Sequence, residues 1–110
     1  MARPKQDGLP KWNPRRTSFQ KMKSDNFKVR YKALRSASSN FIKRKDVRDY
    51  LLKKYDHKCY ICGSSENLQI DHIVSVYRFA IDILEPTSLN SEENLAVICM
   101  KCNSAKSPDL

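Results

Sequence analysis

The sequence predicts a small α+β fold with a basic, helical N-terminal extension. Three observations predict it: two Cys-x-x-Cys pairs, two short apolar runs between those pairs, and helical apolar spacing before them. The 110 residues suffice for one domain. We expect a flexible basic arm at 1–18, a basic helical extension at 19–58 and a metal-bound core at 59–110.

Positive charge is concentrated in the first half of the chain. Residues 1–58 carry 18 Lys and Arg against 5 Asp and Glu, whereas residues 59–110 carry 3 against 7. Such a density is typical of phosphate binding and predicts a nucleic acid partner. A solvated basic tail that only aids solubility is the alternative.

The sequence has no stretch that approaches the roughly 18 consecutive apolar residues of a membrane span. It also lacks a secretory signal in its first twenty residues, which are basic and proline-rich. We therefore expect a cytoplasmic protein with no membrane partner, and we predict no particular oligomeric state.

The arm contains Pro4, Pro10 and Pro14. Proline removes a backbone donor and fixes φ, so we expect neither a helix nor a central strand there. Trp12 is the one large apolar side chain of the arm. It could stack on a base or pin the arm to the domain, and we favour the pin.

The extension begins ambiguously, because residues 19–38 fit both strand alternation and helical spacing. We favour a helix, with a break at the polar residues 38–40. Residues 43–56 then form a clearer amphipathic helix, with Val47, Leu51 and Tyr55 on one face.

Basic residues occupy the other faces of this second helix. They could contact a nucleic acid backbone or be solvated charge. The candidates are Lys43, Arg44, Lys45 and Arg48.

The two cysteine pairs predict a structural Zn²⁺ site. Two intervening residues let both sulfurs of a tight turn point at one ion, and two such turns complete a tetrahedral S₄ site. Two disulfides are unlikely without an export signal, and a redox pair would be a single motif. The ligands are Cys59, Cys62, Cys99 and Cys102, with 36 residues between the pairs. So small a core needs the ~10–16 kcal/mol that zinc can supply.

The insertion between the pairs has its own order of elements. The run "LQIDHIVSV" reads as a strand with Asp71 and His72 at its centre, and residues 95–98 read as a second strand. A short helix follows from Met100 to Lys106. Burying two polar groups in an apolar run costs free energy unless they are bonded, which indicates either a chemical role or a solvated strand edge.

This arrangement resembles the HNH endonuclease family in its four-cysteine form, with a ββα-metal core and Asn at the last motif position. The resembling segments, from Cys59 to Lys106, are "CYIC", "IDHI", "ENLAVIC" and "CMKCNSAK". The resemblance implies a zinc-stabilised ββα-metal nuclease fold and a metal-dependent DNA endonuclease. In its small size and basic arm the chain is similar to phage or mobile-element proteins, which is an analogy at the level of the fold.

The family implies a role for each matching residue. Asp71 and Asn103 would ligate a catalytic Mg²⁺ or Mn²⁺, and His72 would be the general base that activates water. Asn94 would hold the His-bearing loop through hydrogen bonds. Since neighbours on a regular strand point to opposite faces, we expect the strand to bend or end at His72.

The sequence also departs from the family pattern. Ser75 stands where the family often has Pro, and a long loop replaces a Gly-Gly turn; its apolar stretch at 79–84 could be an extra helix. Arg78 and Lys106 are further candidates for phosphate contact or for solvated charge. The alternative function is a non-catalytic zinc-ribbon-like adaptor that binds nucleic acid.

Overall fold

The computed structural model describes residues 8–106 and contains, within that range, five α-helices and two strands. Two single-turn 3₁₀ helices, Pro86–Ser88 and Glu92–Asn94, precede the second strand. The elements are α1 (Arg16–Met22), α2 (Phe27–Ile42), α3 (Lys45–Lys54), β1 (Leu68–His72), α4 (Val76–Ile81), β2 (Leu95–Cys99) and α5 (Met100–Ala105). The predicted α+β class and the order of strand, loop, strand and helix are confirmed.

From residue 8 onward, the segment that we expected to be an arm packs against the apolar core and leads into α1. α1 begins at Arg16, two residues after Pro14, because proline is excluded from a helix interior but not from the chain just before it. Trp12 packs on Phe41 with the ring centroids 6.3 Å apart, which confirms the pin. Residues 1–7 of the predicted arm lie outside the described residues.

The predicted break at residues 38–40 is wrong, because α2 continues through them to Ile42. The Ser38 hydroxyl donates to the Arg35 carbonyl oxygen at 2.9 Å, so this polar side chain is satisfied within the helix. Leu34 and Phe41, seven residues apart on one face, are both buried, and their packing outweighs the weak local propensity.

The two strands form an antiparallel hairpin, in which Leu68 lies opposite Cys99 and His72 opposite Leu95. β2 is buried along its whole length. β1 alternates, since Ile70 and His72 are buried and their neighbours are only half-buried. One face of β1 is thus turned to the core, while the other is turned towards α5.

The extension and the C-terminal half share their apolar cores. One cluster joins α2 and α3 to both strands and contains Phe41, Val47, Leu51, Ile70, Leu95 and Val97. A second joins α1 and α2 to α4 and the following loop and contains Met22, Leu34, Phe79, Ala80 and Leu89. None of the helices in the part of the chain that the structure describes is long and apolar enough to cross a membrane.

Candidate functional site

The four cysteine sulfurs converge at one end of the hairpin. They all lie within 4.8 Å of one another, and the sulfurs of Cys62 and Cys99 are 3.6 Å apart. Tetrahedral Zn–S bonds of about 2.3 Å would hold sulfurs about 3.8 Å apart, so the cluster has the size of an S₄ zinc site. Gly63, directly after the second cysteine of the first pair, adopts φ 80°, a backbone conformation that glycine allows without strain.

Two thiols of the cluster have pKa values that are shifted in opposite directions. Burial raises the pKa of the Cys59 thiol, but backbone N–H groups around it outweigh burial and hold the pKa at about 6. The neighbouring Cys99 sulfur, together with burial, raises the pKa of Cys102 to about 12. The fourth thiol therefore resists ionisation beside the other sulfurs, and a bound divalent cation would compensate for that repulsion.

Asp71 lies on the face of β1 that α5 covers. Gln69, two residues earlier on the same face, accepts a hydrogen bond from Asn103 Nδ2 at 2.6 Å. Lys106 forms an ion pair with the half-buried Asp71 carboxylate and also donates to the His72 carbonyl oxygen at 3.3 Å. α5 therefore brings Asn103 and Lys106 to the face that carries Asp71.

The His72 imidazole lies on the opposite face, with only 7% of the residue exposed. Its Nε2 atom is 2.8 Å from Asn90 Oδ1, while Asn90 Nδ2 donates to the Ala37 carbonyl oxygen at 3.4 Å. Because an amide oxygen only accepts, this assignment of the amide places the ring proton on Nε2. Burial lowers the pKa of His72 below its usual value of 6.5, which favours the neutral ring.

The second ring nitrogen, Nδ1, is left with its lone pair available. Between residues 8 and 106 it has no hydrogen-bond partner, and no fully buried side-chain nitrogen or oxygen in that range is unsatisfied. Solvent therefore reaches His72 Nδ1, and this atom can accept a proton.

Asn94 forms hydrogen bonds with the backbone that follows β1. Its Oδ1 accepts from Val74 N at 2.6 Å, and its Nδ2 donates to the carbonyl oxygens of Val74 and Leu89 at 3.2 and 2.9 Å. The Asn94 carbonyl oxygen also accepts from Ile73 N at 2.8 Å. The prediction that the strand ends at His72 is confirmed, with Asn94 in contact with the irregular turn beyond it.

Asp71 and His72 are adjacent in β1 but do not share a face of the strand. Pairing is still regular at His72, which lies opposite Leu95, so the two neighbours leave β1 on opposite faces. The side chains of Asp71, Asn103 and Lys106 lie on the face of β1 that α5 covers. The His72 ring projects from the opposite face. The catalytic and metal-binding roles of these residues stay predictions.

Most of the basic candidates have acidic partners. Arg44 pairs with Asp46 and Lys45 with Asp49, each at 2.7 Å, and Arg78 pairs with Asp82 at 3.5 Å. Within the described range, only Lys43 and Arg48 of the six candidates have no ion pair. These ion pairs weaken the case for α3 as the main phosphate-binding face. Contact between the six basic candidates and nucleic acid stays a prediction.

Sequence reasoning missed two residues of this site. Gln69 could have been found, because it lies two positions before Asp71 and so shares its face. Asn90 follows no recognisable pattern; it meets His72 only because the loop before β2 returns to the hairpin and α2.

Comparison with known proteins agrees with the two cysteine pairs and the hairpin. Residues 59–109 match a family model described as HNH endonuclease. The match begins at the first zinc-ligand candidate and includes β1, β2 and α5. No curated protein and no solved structure matches the chain.

Proposed function

We propose that the protein is a metal-dependent DNA endonuclease, because residues 59–109 match a family model described as HNH endonuclease. The observation that carries the proposal is the arrangement around the end of β1. Asp71 lies on the face shared with Asn103, and Asn94 holds the turn that immediately follows. In this proposal the cysteine cluster binds a structural Zn²⁺, while the reaction occurs at the opposite end of the strand.

His72 would serve as the general base. Phosphodiester hydrolysis requires a group that takes a proton from the attacking water, and a neutral imidazole is suited to this near neutral pH. Asn90 supports the role, because it engages Nε2 and leaves Nδ1 as the basic atom. The His72 ring projects from the face of β1 opposite Asp71. Since His72 is the last residue of β1, the proposal places the phosphate at this end of the strand.

Asp71 and Asn103 would hold a Mg²⁺ or Mn²⁺ ion. Their oxygens are the ligands that such hard cations prefer, and Asn103 Nδ2 already donates to Gln69, which leaves its Oδ1 for an ion. The ion would neutralise charge on the phosphate and the leaving oxygen. Lys106 pairs with Asp71 in this structure, so its ammonium group would give way for the carboxylate to take a divalent cation.

A plasmid assay tests the proposal. Zinc-loaded protein is incubated with supercoiled DNA, with and without added Mg²⁺ or Mn²⁺, and nicked and linear products are measured on a gel. We expect metal-dependent cleavage that falls by about 10²-fold or more in His72→Asn while the zinc content is unchanged. His57→Asn is the matched control, because His57 is exposed and lies outside the site.

The adaptor alternative has its own support, since His72 is buried against Asn90 and Asp71 is bonded to Lys106, as purely structural residues would be. An adaptor would bind DNA tightly and leave the plasmid intact with every added metal. That result would overturn the endonuclease proposal.

A further inference from the structure

A groove of about 680 Å³ lies between α2 and the segment 75–77 at the start of α4. We refer to it as the α2–α4 groove. Its volume is within the ~300–1,000 Å³ typical of small-ligand pockets. Aromatic and basic side chains alternate along its wall, and those that matter here are Phe27, Lys28, Tyr31, Lys32, Arg35 and Tyr77.

The three aromatic rings pack against one another and leave one of them accessible. Phe27 stacks on Tyr31 with centroids 5.6 Å apart, and Tyr77 meets both rings edge-on, at 6.2 and 5.9 Å. Phe27 is nevertheless 37% exposed. The Arg30 guanidinium also lies over the Phe27 ring, 5.6 Å from its centroid. The groove therefore offers a partly exposed aromatic ring whose position is held by its neighbours, and aromatic rings of this kind stack with bases.

The cations of the groove lack acidic partners. Lys28, Lys32 and Arg35 follow one another at helical spacing on the exposed side of α2. No acidic residue lines the groove, and none of the three has an ion pair with any residue from 8 to 106. Arg35 only lies over the Tyr31 ring, 5.7 Å from its centroid. These uncompensated charges contrast with the paired Arg44 and Lys45 at the start of α3.

The position of the groove connects it to the candidate site. Ser75 and Val76 line it, and they directly follow the turn at Val74 that Asn94 ties. Arg30 fixes α2 to α4 by donating to the Ala80 carbonyl oxygen, so both walls are held together. The groove is therefore lined by residues that follow His72 closely in the sequence and adjoin the turn at the end of β1.

We propose that the α2–α4 groove binds unpaired nucleotides of the DNA substrate next to the cleavage site. The inference rests on the proposed function for its substrate. Bases within a duplex stack on each other and are not available to an aromatic platform, whereas unpaired bases can stack on Phe27 while nearby cations bind their phosphates. The enzyme would then prefer DNA with a single-stranded tail or gap over a blunt duplex.

The first test measures binding without cleavage. Fluorescence anisotropy compares a blunt duplex with the same duplex carrying a single-stranded tail, using zinc-loaded protein with no added Mg²⁺ or Mn²⁺. We expect tighter binding of the tailed DNA, and loss of that preference in the triple variant Lys28→Ala, Lys32→Ala, Arg35→Ala. The charge-matched control replaces the exposed lysines Lys53, Lys58 and Lys101, which lie outside the groove, by alanine.

The second test separates stacking from charge. Phe27→Leu removes the exposed ring but keeps an apolar, helix-compatible side chain, and we expect it to weaken binding of tailed DNA by about 5-fold or more. Tyr60→Leu is the control, since Tyr60 is 43% exposed but lies outside the groove. Circular dichroism and zinc content verify that each variant is folded.

The outcomes distinguish this inference from the proposed function. Equal binding of the two DNAs would overturn the groove proposal even if the protein cuts plasmid. Equal loss of affinity in the groove triple variant and the control triple variant would overturn it as well. Selective loss in the groove variants would support the groove even if no metal produces cleavage, and the endonuclease proposal alone would then fail.

Discussion

The Arg30 guanidinium donates two hydrogen bonds to the Ala80 carbonyl oxygen, through Nε at 2.9 Å and Nη2 at 2.7 Å. Its Nη1 donates to the Ser24 carbonyl oxygen at 2.7 Å. Arg30 is only 7% exposed, so one buried cation joins the start of α2 to the end of α4. This contact connects the basic extension to the C-terminal half of the chain more specifically than apolar packing alone.

Arg30→Lys is expected to destabilise the protein by about 1.5–3 kcal/mol, because one ammonium group cannot reproduce the forked contacts to two carbonyl oxygens. Urea unfolding followed by circular dichroism measures the change. Arg35→Lys, an exposed position on the same helix, is the control and should change stability by less than about 0.5 kcal/mol. Equal effects at both positions would show that the Arg30 contacts contribute little.

Asn94→Asp is expected to slow plasmid cleavage by about 10- to 100-fold while leaving the zinc content unchanged. The substitution keeps an acceptor for Val74 N but removes the donor to the carbonyl oxygens of Val74 and Leu89. The turn after His72 would therefore lose its support. Asn67→Asp makes the same change at an exposed position of the same domain and should cleave normally. Normal cleavage by Asn94→Asp would contradict the positioning role.

Glu92 should make the stability of the protein depend on acid pH. The Tyr50 hydroxyl, at 2.7 Å, and the Lys54 ammonium, at 2.9 Å, lower the pKa of Glu92 below its usual 4.5. A carboxylate whose pKa is lowered in the folded state stabilises that state above the unfolded pKa, and the contribution disappears as pH falls through the folded value.

Glu92→Gln should therefore cost about 1 kcal/mol at pH 7, after allowance for solvent screening of a partly exposed pair. The difference from the parent protein should shrink as pH falls below 4.5. Urea unfolding across this pH range measures it. Glu93→Gln, at the adjacent exposed position, is the matched control. A constant Glu92→Gln difference at every pH would argue against the ionic contacts.

Removal of the cysteine-bound metal should unfold the hairpin. We expect one zinc per chain by native mass spectrometry, and Cys102→Ser should lose it together with most of the C-terminal secondary structure, since a structural zinc contributes an apparent ~10–16 kcal/mol. Met100→Ser, an exposed position between the last two ligands, is the control and should keep its zinc. A folded, zinc-free Cys102→Ser protein would show that the metal is dispensable.

The sequence by itself determined the features that depend on local spacing. The Cys-x-x-Cys pairs, the amphipathic pattern around Val47 and Leu51, and the apolar runs of β1 and β2 each encode a local geometry. The order of these elements, with Asp71, His72 and Asn94 at their positions in it, was enough to indicate the HNH fold. Gly63 at positive φ belongs to the same class of local signal.

Only the tertiary structure decided which distant groups meet. α2 continues through Ser38 because Leu34 and Phe41 are buried by other elements, although the local residues favour a break. His72 bonds to Asn90, 18 residues away, and Arg30 bonds to Ala80, 50 residues away. Such contacts arise from how the helices and the hairpin pack, and residues this far apart leave no periodic signal in the chain. The same packing creates the α2–α4 groove.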